Sequence, residues 1–279
     1  MKNILKIMLM MITIFTIAGS AVYAAEIPVS DQDQLITSND WTEISNLQDE
    51  MKKEEPDATI DYDKALKVYV DCNLIKLQTA DTKKLTSALE SANYVWVIPF
   101  KMEKTYGMFT VAKGLPLREE AKSVLTKAEQ EEVKNHAGKW MITEIAEHTV
   151  EPYYDILLEK REALSDCTRV VLVGSQPGMR QPVALGMDDE TARIWISLGY
   201  QYPVMEKIPE TQNVESGVYS FDSVAEISDT YIEDSEVSTG AGVQSRSSMK
   251  YVAGIGIVLI GGILILSVLK KKKIRIKFF

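Results

Sequence analysis

Tyr94-Val95-Trp96-Val97-Ile98-Pro99-Phe100-Lys101, followed after a short polar connection by Gly107-Met108-Phe109-Thr110-Val111-Ala112-Lys113, is the stretch that decides the fold. Both runs are rich in β-branched and aromatic residues, which suit a pleated surface, and their closeness predicts a β-hairpin. Pro99 has no N–H to offer a ladder, which predicts an edge position for the first run. Upstream, Leu66, Val68 and Val70 alternate with Lys67, Tyr69 and Asp71. That period of two predicts a half-buried strand over 65–71, with a helix capped by Asp61 or Asp63 as the alternative. Asp81 opens a helix whose Leu85, Ala88, Leu89 and Ala92 share one face and which stops near Asn93.

Downstream, Gly114 and Pro116 open a helical region reaching about Ala137, and Thr126 with Glu129 forms a capping box that splits it. Trp140, Ile142 and Ile145 start a strand-like stretch, and Pro152 starts a helix running through Ala163. Runs at 169–174 and 182–185 flank Gln176-Pro177-Gly178, whose Pro-Gly order suits a type II turn and predicts a second hairpin. A further strand is expected at 192–198, after a turn at Asp188 and Asp189. Switching between periods of two and 3.6 predicts an α+β fold with short antiparallel strands and several helices over residues 40–209.

The two ends of the chain speak of location. Lys2 and Lys6 precede an apolar run at 7–18, and Ala21-Val22-Tyr23-Ala24 supplies the small residues a signal peptidase reads. Residues 1–24 are therefore expected to be a signal peptide cut between Ala24 and Ala25, with an uncleaved anchor as the alternative. Residues 25–39 follow as an N-terminal extension, and 40–209 becomes an extracellular region. The stretch 210–250, rich in Ser, Thr, Asp, Glu and Gly, reads as an acidic stalk. From Tyr251 to Leu269 the sequence is uncharged, and a helix of that length spans roughly 28 Å, close to the hydrocarbon thickness. Lys270, Lys271, Lys272, Lys273, Arg275 and Lys277 crowd its far side. The positive-inside bias then predicts one C-terminal transmembrane helix at 251–269, the N-terminus outside and a basic cytoplasmic tail at 270–279.

An apolar helix with a lysine-rich tail resembles a Gram-positive cell-wall sorting signal. Such signals carry Leu-Pro-x-Thr-Gly upstream, whereas Val237-Ser238-Thr239-Gly240 matches only the Thr-Gly pair. Without the Leu-Pro, a retained membrane anchor is the expectation rather than cleavage between Thr239 and Gly240.

Charge narrows the partners. The whole chain carries a formal −9, but all 40 acidic residues lie between 25 and 250. Eight of the 31 basic residues lie in the leader and tail, so 23 basic against 40 acidic leave the middle at −17. Such a surface repels nucleic acid, which is excluded as a partner.

Cys72 and Cys167 are the only cysteines, and an oxidising location favours a Cys72–Cys167 disulfide, with two buried free thiols as the alternative. His136 and His148 are the only imidazoles and fit no metal-ligand or Cys-His spacing, so neither a zinc site nor a nucleophilic cysteine is predicted. Gly174-Ser175-Gln176-Pro177-Gly178 places its serine one position away from a nucleophile elbow. Asp31 with Asp33, and Asp188-Asp189-Glu190, lack the continuation of a calcium loop and read as solvated turns. Tyr153 with Tyr154, and Tyr200 with Tyr202, are candidates for a recognition patch, although their spacing sends one of each pair to the core.

No catalytic residue, cofactor site or metal site is assigned from sequence. The expectation is a single-pass, bacterial-type cell-surface protein, held by its C-terminal helix, whose acidic extracellular domain binds a protein or glycan or supports an envelope assembly. The alternative is a membrane-tethered hydrolase acting on cell-wall polymer.

Overall fold

A computed structural model describes residues 27–148, 151–174, 176, 179, 181–200, 202, 204–209 and 213–228. The expected signal peptide, transmembrane helix and basic tail, and residues 210–212 and 229–250 of the expected stalk, lie outside the described residues, as do Ala24, Ala25, Thr239 and the six basic residues from Lys270 to Lys277.

The domain is α+β, built on one mixed and mostly antiparallel sheet. Its strands are β1 (Thr59–Ile60), β2 (Leu66–Val70), β3 (Asn93–Lys101), β4 (Tyr106–Lys113), β5 (Trp140–His148), β6 (Arg169–Val173), β7 (Val183–Met187), β8 (Ala192–Ser197), β9 (Asn213–Glu215) and β10 (Val218–Ser220). Nine of them lie side by side in the order β5-β4-β3-β2-β6-β7-β8-β10-β9, and β1 adds to β3. The expected hairpins form as β3/β4 and β6/β7, in registers that set Ile98 against Phe109 and Leu172 against Ala184. One parallel pairing, β2 with β6, joins the two antiparallel halves through Val68 with Leu172 and Tyr69 with Val173.

Helices follow their local signals. Two short helices, α1 (Trp41–Ile44) and α2 (Gln48–Glu54), are joined by one 3₁₀ turn. The Asp81 carboxylate caps α3 (Thr82–Glu90) by accepting from the Lys83 and Lys84 amides at 3.0 and 3.1 Å. The predicted split at Thr126 separates α4 (Glu119–Lys122) from α5 (Lys127–His136), with the Thr126/Glu129 capping box present in full. Pro152 caps α6 (Tyr153–Glu159), which ends short of the expected Ala163.

Strand alternation divides the side chains between two covered faces. On the front, Trp96, Ile98, Phe100, Phe109 and Val111 pack with Ile44 and Met51 of α1 and α2. Further along the same face Val171, Val173, Leu185 and Trp195 pack with Leu85 and Leu89 of α3. On the back, Val68, Leu172, Ile194 and Ile196 pack under Tyr153, Ile156 and Leu157 of α6.

This arrangement corrects four expectations. β2 is an interior strand with both faces covered, so Lys67 and Tyr69 are buried rather than solvated. β3 is interior too. Pro99 is accommodated because the Asp61 N–H donates to the Pro99 carbonyl just where β1 ends, and the chain then leaves β3 before β2 begins, so no ladder partner needs the missing N–H. The fold also runs past residue 209: β10 pairs with β8, and Val218, Phe221 and Val224 are buried, with 221–228 helical. The expected boundary at 209/210 therefore cuts through the domain.

Of the extension expected at 25–39, the described residues 27–39 belong to the domain as well. The Val170 N–H donates to the Pro28 carbonyl at 2.7 Å and the Leu35 N–H to the Ala65 carbonyl at 3.1 Å, so this segment bonds to β6 and to the residue before β2. Ile27 and Val29 join the back cluster and Leu35 the front one, so the segment crosses from one face to the other.

Candidate recognition site

Two groups of polar side chains stand out, one sealed and one open. The sealed group is centred on Asp33, which is 2% exposed. Its carboxylate accepts from Ser30 Oγ at 2.6 Å, the Tyr69 hydroxyl at 2.7 Å and the Arg169 guanidinium at 3.0 Å, and Lys67 Nζ stands 3.7 Å away. Lys67 in turn lies 4.6, 5.2 and 5.8 Å from the ring centres of Tyr94, Trp96 and Tyr69. Burial pushes the Lys67 ammonium below its ordinary range, against the pull of Asp33 and Asp40, and burial together with Asp33 pushes the Tyr69 phenol up. Asp40 completes the group by accepting from the Tyr94 hydroxyl at 2.8 Å and Trp96 Nε1 at 3.0 Å. A carboxylate already met by four donors has little acceptor capacity left for a substrate, so the group fastens the N-terminal segment to β2 and β6.

The open group lies along β5. This strand ends the sheet, and among the described residues it pairs only with β4. A bulge between Thr110 and Val111 inserts Thr143 as an extra residue, fixed by donation from Thr143 Oγ1 to the Thr110 carbonyl at 3.1 Å. The bulge changes which way the strand faces. Trp140 and Ile142 stay on the front, whereas Glu144, opposite Thr110, and Ala146, opposite Met108, face the back.

On that back face Glu144 is exposed and accepts from Thr110 Oγ1 at 3.5 Å, and its charge is felt by the phenols of Tyr153 and Tyr200. The Tyr153 hydroxyl donates to Tyr200, whose ring centre stands 6.4 Å from that of Tyr202. Tyr202 is anchored by donating to the Pro182 carbonyl at 2.6 Å. Burial above all raises the Tyr153 and Tyr200 phenols, helped at Tyr153 by Tyr200, Tyr202 and last by Glu144, and opposed at Tyr200 by the hydrogen bond from Tyr153, so both remain protonated. Tyr153 and Tyr202 are buried while Tyr154 and Tyr200 are half-buried, which is the division the spacing predicted. The contribution of Glu144 was missed, because only the bulge turns it to the back face.

The remaining sequence candidates are apart from both groups. Cys72 and Cys167 are free, and the expected bond is not formed. Cys72 follows the C-terminal end of β2 and packs on the front cluster, whereas Cys167 precedes the N-terminal end of the parallel β6 and lies in the back one. The sheet separates them, and burial pushes each thiol up to about 11. Asp33 is committed to its ion pairs. Asp188 accepts from the Glu190 and Thr191 amides at 2.8 and 2.6 Å, which shapes the turn before β8. His136 is half-buried at the end of α5, and no group of His, Cys, Asp or Glu able to hold a metal occurs among the described residues. Ser175 and the side chain of His148 lie outside the described ones.

Compared with protein-family models, curated proteins and solved structures, the chain matches none.

Proposed function

We propose that this chain is a single-pass, bacterial-type cell-surface protein whose extracellular α+β domain works by binding a partner, in keeping with a role in envelope assembly. The observation that carries the reading is β5: nine residues long, at the end of the sheet and paired on one side among the described residues. An edge of that length offers main-chain donors and acceptors to another chain, a common mode of protein recognition. The sealed setting of Asp33 supports binding over catalysis, since the most buried charged cluster serves the fold. The uncharged run from Tyr251 to Leu269 and the basic residues after it support the anchor.

A photo-activatable residue placed at position 144 in cells tests this, with position 127 on the exposed start of α5 as control. One discrete adduct from 144 and none from 127 is expected. Absence of any adduct, together with turnover of wall polymer that a single carboxylate substitution abolishes, would replace this reading by the tethered hydrolase.

A further inference from the structure

The sealed group around Asp33 holds both halves of a covalent bond. We infer that Lys67 and Asp33 condense into an amide between Nζ and Cγ, with loss of one water, and that this cross-link locks the first described segment onto β2. It goes beyond the binding reading above and does not depend on it.

The two oxygens of Asp33 have different company. Ser30 Oγ at 2.6 Å and the Arg169 guanidinium at 3.0 Å both donate to Oδ2, whereas the Tyr69 hydroxyl at 2.7 Å and Lys67 Nζ at 3.7 Å both face Oδ1. Lys67 and Tyr69 are two positions apart on β2, so they reach that oxygen from one face of the sheet. During attack on Cγ, negative charge gathers on the oxygen that stays. Two fixed donors on Oδ2 stabilise that charge, which leaves Oδ1, beside the amine and the phenol, as the oxygen that departs. Holding amine and carboxyl in contact is equivalent to an effective concentration of about 10⁵ M or more.

The step needs no co-reactant. Lys67 enters as an ammonium and Asp33 as a carboxylate, and one proton passes from Nζ to Oδ1, leaving an amine and an acid. The amine lone pair forms the N–C bond and the Cγ–Oδ1 bond breaks. A second proton leaves nitrogen for the departing oxygen through the Tyr69 hydroxyl, which gives one proton and regains another, and water is released. The rings of Tyr94, Trp96 and Tyr69 surround the nitrogen, and burial pushes the ammonium below its ordinary range, which favours the attacking amine. A neutral amide then replaces two buried charges, and the burial of Asp33 keeps out the water that the reverse reaction needs. Arg169 keeps its bond to Oδ2, now an amide carbonyl, and its side chain, 17% exposed, still reaches solvent.

The test unfolds the full chain, digests it with trypsin and weighs the peptides. A peptide ending at Lys52 is expected joined to 65–76, uncut after Lys67 and lighter than the two together by one water, with fragmentation placing the bond at Asp33. Cleavage after Lys67 in every copy, with Asp33 in a peptide of full mass, overturns the proposal. So does a bond from Lys67 to Asp40, whose charge Lys67 also feels. This arm leaves the protein unaltered, so it decides the matter even if a variant misfolds. Tyr69→Phe keeps the ring and removes the relay: tryptophan emission should stay native while linking, followed after cell-free synthesis, slows roughly a hundredfold. An unchanged rate in a variant with native emission overturns the part given to the phenol.

Discussion

Arg169 at the start of β6 donates to Asp33 at 3.0 Å across 136 positions of chain, and this contact ties the first described segment to the centre of the sheet. Lys67 and Tyr69 meet the same carboxylate from β2, so one side chain connects three parts of the fold.

Asp33→Ala should therefore be among the most damaging single changes. It leaves the Lys67 and Arg169 charges buried without their counter-ion, a loss of about 3–5 kcal/mol. Urea unfolding of the full chain measures it. Amide exchange should locate the first loosening at residues 27–35, and a change below about 1 kcal/mol would mean that the ion pairs balance their own desolvation.

Neither thiol should react readily in the folded protein. With both pushed up to about 11, alkylation at neutral pH is slow and accelerates as pH rises, while urea exposes both cysteines at once. The folded values lie above the ordinary 9.0, so the thiols' contribution to stability is complete below pH 9 and is lost as pH climbs towards 11. Mass spectrometry of unreduced peptides should find no Cys72–Cys167 linkage.

Gly186→Ala should destabilise by about 1–3 kcal/mol, because a Cβ there would stand 2.8 Å from Cys167 Sγ and 2.9 Å from Ile194 Cγ1. Combining it with Cys167→Ala removes one of the two clashes, so thermal melting of the double variant should show less than the sum of the two single losses.

A chain ending at residue 209 should lose its native packing. It removes β9, β10 and the ring of Phe221, which stacks on Trp195 at 5.7 Å. Loss of that ring alone is worth about 3 kcal/mol or more. Red-shifted tryptophan emission and dye binding are expected for the chain ending at 209, and native emission for one ending at 232.

Local signals were legible where neighbours in sequence are neighbours in space. The β3/β4 hairpin, the Asp81 cap and the Thr126 capping box each depend on residues within a few positions of one another. β2 was misread because alternation reports only which residues share a face, and Lys67 looks solvent-facing until Asp33 and three rings close over it. The parallel β2/β6 pairing, the folded state of 213–228 and the turning of Glu144 depend on distant partners or on one inserted residue. None of these leaves a periodic trace. The tyrosine pairs lay between these cases: their spacing predicted which members are buried, but not that Tyr153 and Tyr200 meet.

The placing of residues 27–35 against β6 also orders events in time. Synthesis at about 5–20 residues per second puts roughly 7 to 27 s between the appearance of Asp33 and that of Arg169. Throughout that interval Pro28 has no β6 to bond, and Ile27 and Val29 stay open to wrong contacts or to a chaperone. Closure of the sheet is then a late, chain-wide event, in which the first residues made are among the last to settle.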